Sequence, residues 1–207
     1  MKTIIKFLIV FFIVGCKAQV ITPIYGPDPN DGVHPNRYYK DIANDFAPYV
    51  GTWAGNSGNE TLTITFNTTT NVPGELGDYF DMLVGEYSYQ VSSNVLVDTH
   101  PELFTTDSNG VPIIIQPNPW DNSITVIGIT DMDEWFPPCP ECSPNSRVIV
   151  LDIIESSNPP LWGKIRMTRF VESGVEKIRM QINNTFAESH QPLSIPEDSI
   201  WTLIKQN

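Results

Sequence analysis

The sequence predicts an all-β protein: a single antiparallel meander closed as a barrel, with a β-sandwich as the alternative closure. Three observations lead there. Short segments alternate apolar and polar residues with period two, clusters of Gly, Pro, Asn, Asp and Ser separate them, and no segment carries a sustained apolar stripe at helical spacing. The 207 residues suffice for one domain with a sizeable core, and 41 % hydrophobic against 17 % charged residues excludes a disordered chain. A net charge of -12 excludes nucleic acid as a default partner, because phosphate contacts need a basic surface. With 3 cysteines and 3 histidines, a disulfide scaffold and a multi-zinc fold are excluded as well.

Taken in chain order, Lys2 and Lys6 accompany an apolar run over residues 7–14 that ends at Gly15-Cys16. A run this short does not span about 30 Å of hydrocarbon as a stable helix. It reads as a signal peptide. Ile13-Val14-Gly15-Cys16 resembles the bacterial lipobox, which implies cleavage before Cys16, diacylation of its thiol and acylation of the new amino terminus. An ordinary secretory signal with an incidental cysteine is the other reading of the same residues. Residues 1–15 are thus expected to be removed, 16–36 to form the lipidated Cys and a flexible tether, and 37–207 to form one β domain.

Residues 38–46 (YYKDIANDF) are expected to make one or two helical turns. Residues 61–66 alternate strictly, with Leu62, Ile64 and Phe66 on one face and three threonines on the other, which is the pattern of a half-buried strand. Across residues 80–91 the apolar set Phe80, Met82, Val84 changes phase to Tyr87, Tyr89, Val91 at Gly85, and this predicts a β-bulge bending one long strand. Further strands are expected over 111–115, 123–130, 147–154, 161–170, 175–182 and 199–205.

Phe46-Ala47-Pro48-Tyr49-Val50-Gly51-Thr52-Trp53 resembles the opening of a lipocalin or calycin barrel, where a short helix leads into Gly-x-Trp. That resemblance implies a lipocalin-like barrel with Trp53 plugging its floor. A wider resemblance is to small exported Bacteroidetes-type lipoproteins that carry a domain of unknown function. It rests on the lipobox followed by Lys17-Ala18-Gln19, the Pro/Asn-rich tether, the stretch from Asp45 to Trp53, and the closing Trp201-Thr202-Leu203-Ile204-Lys205. It implies a location and an architecture without an activity: the cell envelope, lipid-anchored, at the outer membrane facing the periplasm.

Cys139-Pro140-Glu141-Cys142 is the most conspicuous local motif. A structural disulfide, half of a metal site and a redox pair are its three readings. Pro137, Pro138, Pro140 and Pro144 disfavour the helix N-terminus that stabilises a reactive thiolate, and Asp131, Asp133, Glu134 and Glu141 disfavour the thiolate itself, so the disulfide is favoured. Asp131, Asp133 and Glu134, with Asp121, could supply oxygen ligands to calcium, but they lack the full spacing of a calcium loop and read as a solvated loop. Between Asp41 and Ser146 there are fifteen acidic residues and no Lys or Arg, whereas Arg147, Lys164, Arg166, Arg169, Lys177 and Arg179 follow closely. Lys164, Arg166, Lys177 and Arg179 fall on one face of a hairpin turning at Glu172-Ser173-Gly174, either balancing neighbouring acids or forming a patch for anionic headgroups or an acidic envelope partner.

These readings converge on a membrane-anchored envelope lipoprotein whose domain is a non-catalytic binding or interaction module, held to the lipid bilayer through acylated Cys16 and using no cofactor or metal. The rival is a hydrolase or isomerase on the same scaffold, working through carboxylates that converge in a cavity with raised pKa values. The expected ligand is a small apolar or amphipathic molecule in a cavity walled by Trp53, Leu62, Ile64, Phe66, Tyr87 and Tyr89. The same six residues equally suit an ordinary packed core.

Overall fold

The period-two segments pair as their pattern requires. Leu62, Ile64 and Phe66 face Tyr89, Tyr87 and Gly85 on one neighbouring strand, and Gly55, Trp53 and Gly51 on the other. The structure is a computed structural model and describes residues 19–25, 36–100, 104–106, 112–114, 118–134, 136–156, 160–183 and 192–206. Its first strands are β1 (Val20–Pro23), β2 (Arg37–Lys40), β3 (Gly51–Ser57), β4 (Glu60–Pro73), β5 (Tyr79–Val91) and β6 (Asn94–Asp98). They are followed by β7 (Phe104–Thr106), β8 (Pro112–Ile114), β9 (Ile124–Asp131), β10 (Arg147–Glu155), β11 (Leu161–Glu172), β12 (Val175–Asn183) and β13 (Ser199–Lys205).

Eight of these close an antiparallel barrel in the order β3-β4-β5-β9-β10-β11-β12-β13. The ring is sealed by β13 on β3, through Ile204↔Ala54 and Lys205↔Trp53, and by β5 on β9, through Val84↔Thr125 and Gly85↔Ile124. Every barrel strand lies beside its successor, so the path is a meander. Between β5 and β9 the chain leaves the ring: β6 pairs on β5, and β7 pairs with β8 in a separate two-stranded sheet. Closure makes this a barrel and not a sandwich, and it leaves the ring itself without a free edge.

Gly85 is not a bulge. Strand β5 holds continuous register with β4 from Val91 down to Met82, and the irregularity lies in the partner, between Thr69 and Val72, where Asn71 takes a φ of 57°. The change of apolar phase has another cause. Residues 81–89 are buried without interruption, because β5 has the barrel core on one face and further chain on the other. On that outer side Phe80 stacks on Tyr39 and meets the Trp120 ring edge-on, and the Glu86 carboxylate accepts a hydrogen bond from Ser123 N at 3.1 Å. A strand covered on both faces loses its alternation.

Two other expectations change with tertiary context. The segment expected to coil into helical turns begins instead with β2, which lies parallel to β5 and buries Tyr39; the nearest helical geometry is the 3-10 turn Ala47–Tyr49 that follows it. Asp81 fixes this corner by accepting hydrogen bonds from Tyr38 Oη at 2.5 Å and Asp41 N at 3.0 Å. Burial, then the bond to Asp81, pushes the Tyr38 phenol up to about 12. Part of the expected tether is also a strand: β1 runs parallel to β2 from Val20↔Arg37 to Pro23↔Lys40. Pairing on an open sheet edge needs only backbone groups, so a Pro-rich stretch without apolar period can still supply it. Residues 1–15, Cys16 and residues 26–35 lie outside the described residues, and the expected signal peptide and lipid attachment lie with them.

Candidate functional site

Both ends of the barrel are stoppered by its own chain. At one end Phe46 and Tyr49 are buried, and Trp53 Nε1 donates to the Tyr49 carbonyl at 2.6 Å. At the other, Leu193 and Ile195 are buried, Leu193 against Gly163, and the Glu155 carboxylate accepts from Ser194 N and Ser194 Oγ at 2.8 and 2.7 Å.

Between these stoppers the interior is full. Trp53, Leu62, Ile64 and Tyr87 are 0 % exposed, Phe66 and Tyr89 1 %, and inward residues of the opposite wall such as Leu151, Ile165, Met180 and Leu203 are also at 0 %. A void wide enough for water would leave exposed surface on its walls. The six residues expected to wall a ligand cavity are therefore core, joined with the opposite strands in one apolar cluster. Tyr89 packs edge-on against Trp201 with ring centres 6.3 Å apart. Tyr87 Oη has no hydrogen-bond partner among the described residues, and burial first, then the Glu155 and Glu86 charges, drives its pKa upward.

The polar chemistry gathers outside, at the rim beside Tyr49. Arg147, the first residue of β10, places its guanidinium 4.0 Å from the centre of the Tyr25 ring and pairs through Nη1 with the Asp45 carboxylate. Asp45 is held in place because Asp41 accepts from Asp45 N at 2.8 Å and from Phe46 N at 2.9 Å. Tyr25 Oη donates to Asp131 at 2.8 Å, and that bond raises the phenol's pKa. Arg169 N donates to Tyr49 Oη at 3.0 Å, and burial pushes the Tyr49 phenol up to about 12. The Arg169 side chain pairs with Glu176, which also takes Lys205 Nζ at 3.0 Å, and these two cations, Arg169 foremost, hold the Glu176 carboxyl below its ordinary value. Lys205 in turn lies 5.4 Å over the Trp53 ring, so the rim network ends on the core.

Two clefts open on either side of the Asp45–Arg147 pair. The larger, about 360 Å³, is bordered by Asn44, Pro48, Asn145, Thr168 and Arg169. The smaller, about 270 Å³, lies toward Pro23, Ile24, Lys40 and Ile42. Guanidinium and amide donors over a Pro48 and Ile149 wall suit a polar or anionic group presented by a partner. Their volumes lie around the lower limit of ligand pockets, enough for one protruding group.

Other residues singled out in the sequence are dispersed. The basic hairpin face is already engaged by neighbouring groups: Arg166 donates to both oxygens of Asp133 at 2.7 Å, Lys177 pairs with Glu172, Arg179 donates to the neutral Thr202 Oγ1 at 2.9 Å, and Lys164 stands opposite Asp152 in the sheet. Asp152 has its pKa raised by burial and lowered in part by Lys164, but it lies on β10 opposite that lysine and not in an enclosed cavity. The acids expected at most to form a solvated loop are separated, Asp131 going to Tyr25 and Asp133 to Arg166. Cys139 and Cys142 are joined in a disulfide. Sequence reasoning missed the rim site. Arg147 and Arg169 appear in the charge pattern, but nothing in the aperiodic text around Tyr25 signals that its ring covers a guanidinium.

These features define a closed, solid-cored eight-stranded β-barrel with a charged cleft at one rim. The chain belongs to the Family of unknown function (DUF6705), which it matches over residues 1–206. No curated protein and no solved structure matches it.

Proposed function

We propose that this protein is a membrane-anchored lipoprotein of the cell envelope, facing the periplasm from the outer membrane, whose barrel is a non-catalytic binding module. It engages its partner at the rim cleft around Arg147. The supporting observation is the contrast between a core whose inward side chains are buried and a rim where two clefts flank one Arg–Asp pair. Recognition therefore falls to Arg147, Arg169, Asn44 and Asn145, and a partner carrying a carboxylate or phosphate would compete with Asp45 for Arg147. Guanidinium groups already oriented by a ring and a carboxylate lose little freedom on binding, which favours such exchange. The lipobox at Cys16 supports the anchor.

Cys16→Ser tests the anchor. The substituted protein is expected to leave the membrane fraction for the soluble envelope fraction, read by fractionation and immunoblotting. Retention in the membrane fraction would contradict the assignment.

A further inference from the structure

Strand β1 begins only four residues after Cys16, and this fixes how far the barrel can stand from an anchor at that cysteine. Val20 N donates to Asn36 O at 3.1 Å, Ile24 N donates to Lys40 O at 2.9 Å, and Tyr25 is pinned by Arg147 and Asp131. With β1 held in register on β2, no slack can be drawn from residues 20–25. Four residues of fully extended chain reach about 14 Å. The leash is thus shorter than the barrel is long, since β5 alone spans roughly 40 Å at about 3.3 Å per residue.

The surface at the end of this leash is apolar and exposed. Ile42, Val20 and Ile21 are the three most exposed large apolar residues among those described, at 60, 58 and 57 %. They are strung along one sheet edge: Val20 and Ile21 open the edge strand β1, which runs beside β2 from Val20↔Arg37 to Pro23↔Lys40, and Ile42 follows β2 directly, its N donating at 2.9 Å to the Lys40 carbonyl that also accepts from Ile24 N. Lys40 is exposed beside them, with Nζ 5.9 Å from the centre of the Tyr38 ring. Arg37 and Lys40 are the only basic residues between Lys17 and Arg147. The neighbouring acids are engaged, Asp41 by two backbone N–H groups, Asp45 by Arg147 and Asp131 by Tyr25.

We propose that this corner, formed by β1 and the turn after β2, lies against the bilayer, with Val20, Ile21 and Ile42 in the headgroup layer and Lys40 on lipid phosphate. Exposed apolar side chains gain from entering that layer, and a lysine can bury its stem there while keeping its charge at the phosphates. The inference rests on Cys16 being the anchor, and adds to it a fixed orientation. The smaller cleft, which Lys40 and Ile42 border, then opens at the membrane surface.

Single-thiol labelling tests the orientation in the full lipidated protein, because Cys16 is acylated and Cys139 is bonded to Cys142. An environment-sensitive fluorophore is placed at Ile42→Cys or, as the distant control, at Val95→Cys, which pairs with the far end of β5. Each protein is reconstituted into vesicles of phosphatidylethanolamine and phosphatidylglycerol containing a lipid with a quencher at headgroup depth. Severalfold stronger quenching at position 42 than at position 95 is expected. Equal quenching, in protein that floats with the vesicles, overturns the orientation and leaves the anchor standing. Failure to float overturns both.

Discussion

Trp53→Ala is expected to remove about 3–5 kcal/mol of stability, the range for truncating a fully buried aromatic side chain. Trp53 is 0 % exposed, pairs in register with Ile64 on one side and Lys205 on the other, and donates its indole N–H to the Tyr49 carbonyl. Truncation therefore opens a void, removes the bond that ties the end turn to the barrel, and takes away the surface on which Lys205 rests. A domain with a total stability of about 5–15 kcal/mol would be brought close to unfolding at ordinary temperature. The midpoint of urea denaturation measures this. Trp53→Phe keeps most of the volume while losing the hydrogen bond, and should fall well short of the alanine effect. Equal midpoints for wild type and Trp53→Ala would refute the packing described for that end.

Gly85→Ala is the second large effect, expected to cost about 1–3 kcal/mol as overpacking of a filled core. A Cβ at Gly85 would stand 2.8 Å from the Phe66 ring and 2.9 Å from the Thr65 carbonyl, and the latter is backbone that cannot turn aside. The position also joins β5 to β9, so movement there strains the seam of the ring. Gly128→Ala provides the comparison, because a Cβ there meets nothing within 4 Å, and a change within about 0.5 kcal/mol is expected. Thermal or urea midpoints of the two variants, measured side by side, check the difference.

Gly85 also illustrates how the sequence relates to the fold. The alternation in β4 was directly legible, because one face of that strand meets the core and the other meets solvent. In β5 the same code fails, since residues 81–89 are covered on both sides and an apolar phase no longer reports which face is inside. The glycine marks close approach by Phe66, where a bulge was expected. Strand β2 was hidden for a related reason: its local text permits a turn of helix, and only pairing with β1 and β5 together with stacking of Tyr39 on Phe80 makes it extended. Trp53 is buried at one end of the barrel, and the Asp45-to-Trp53 stretch that stands out in the sequence includes Asp45 and Tyr49, which shape the rim cleft. What the chain could not reveal was the arrival of Arg147 and Tyr25 from opposite sides of the sequence. A cation seated on a ring is a tertiary contact without local periodicity.

The question of greatest consequence is whether the barrel holds anything but itself. Fatty-acid titration of the Cys16→Ser protein, which carries no acyl chain at that position, answers it most directly. Trp53 and Trp201 lie in the interior as built-in reporters, and native mass spectrometry counts any molecule retained. With the interior side chains closed on one another, no saturable quenching and no retained fatty acid are predicted up to the probe's solubility limit. Saturable quenching with one fatty acid retained per chain, altered by shrinking Tyr87 or Tyr89 and unaffected by Arg147→Ala, would contradict the account and return the binding site to the inside of the barrel.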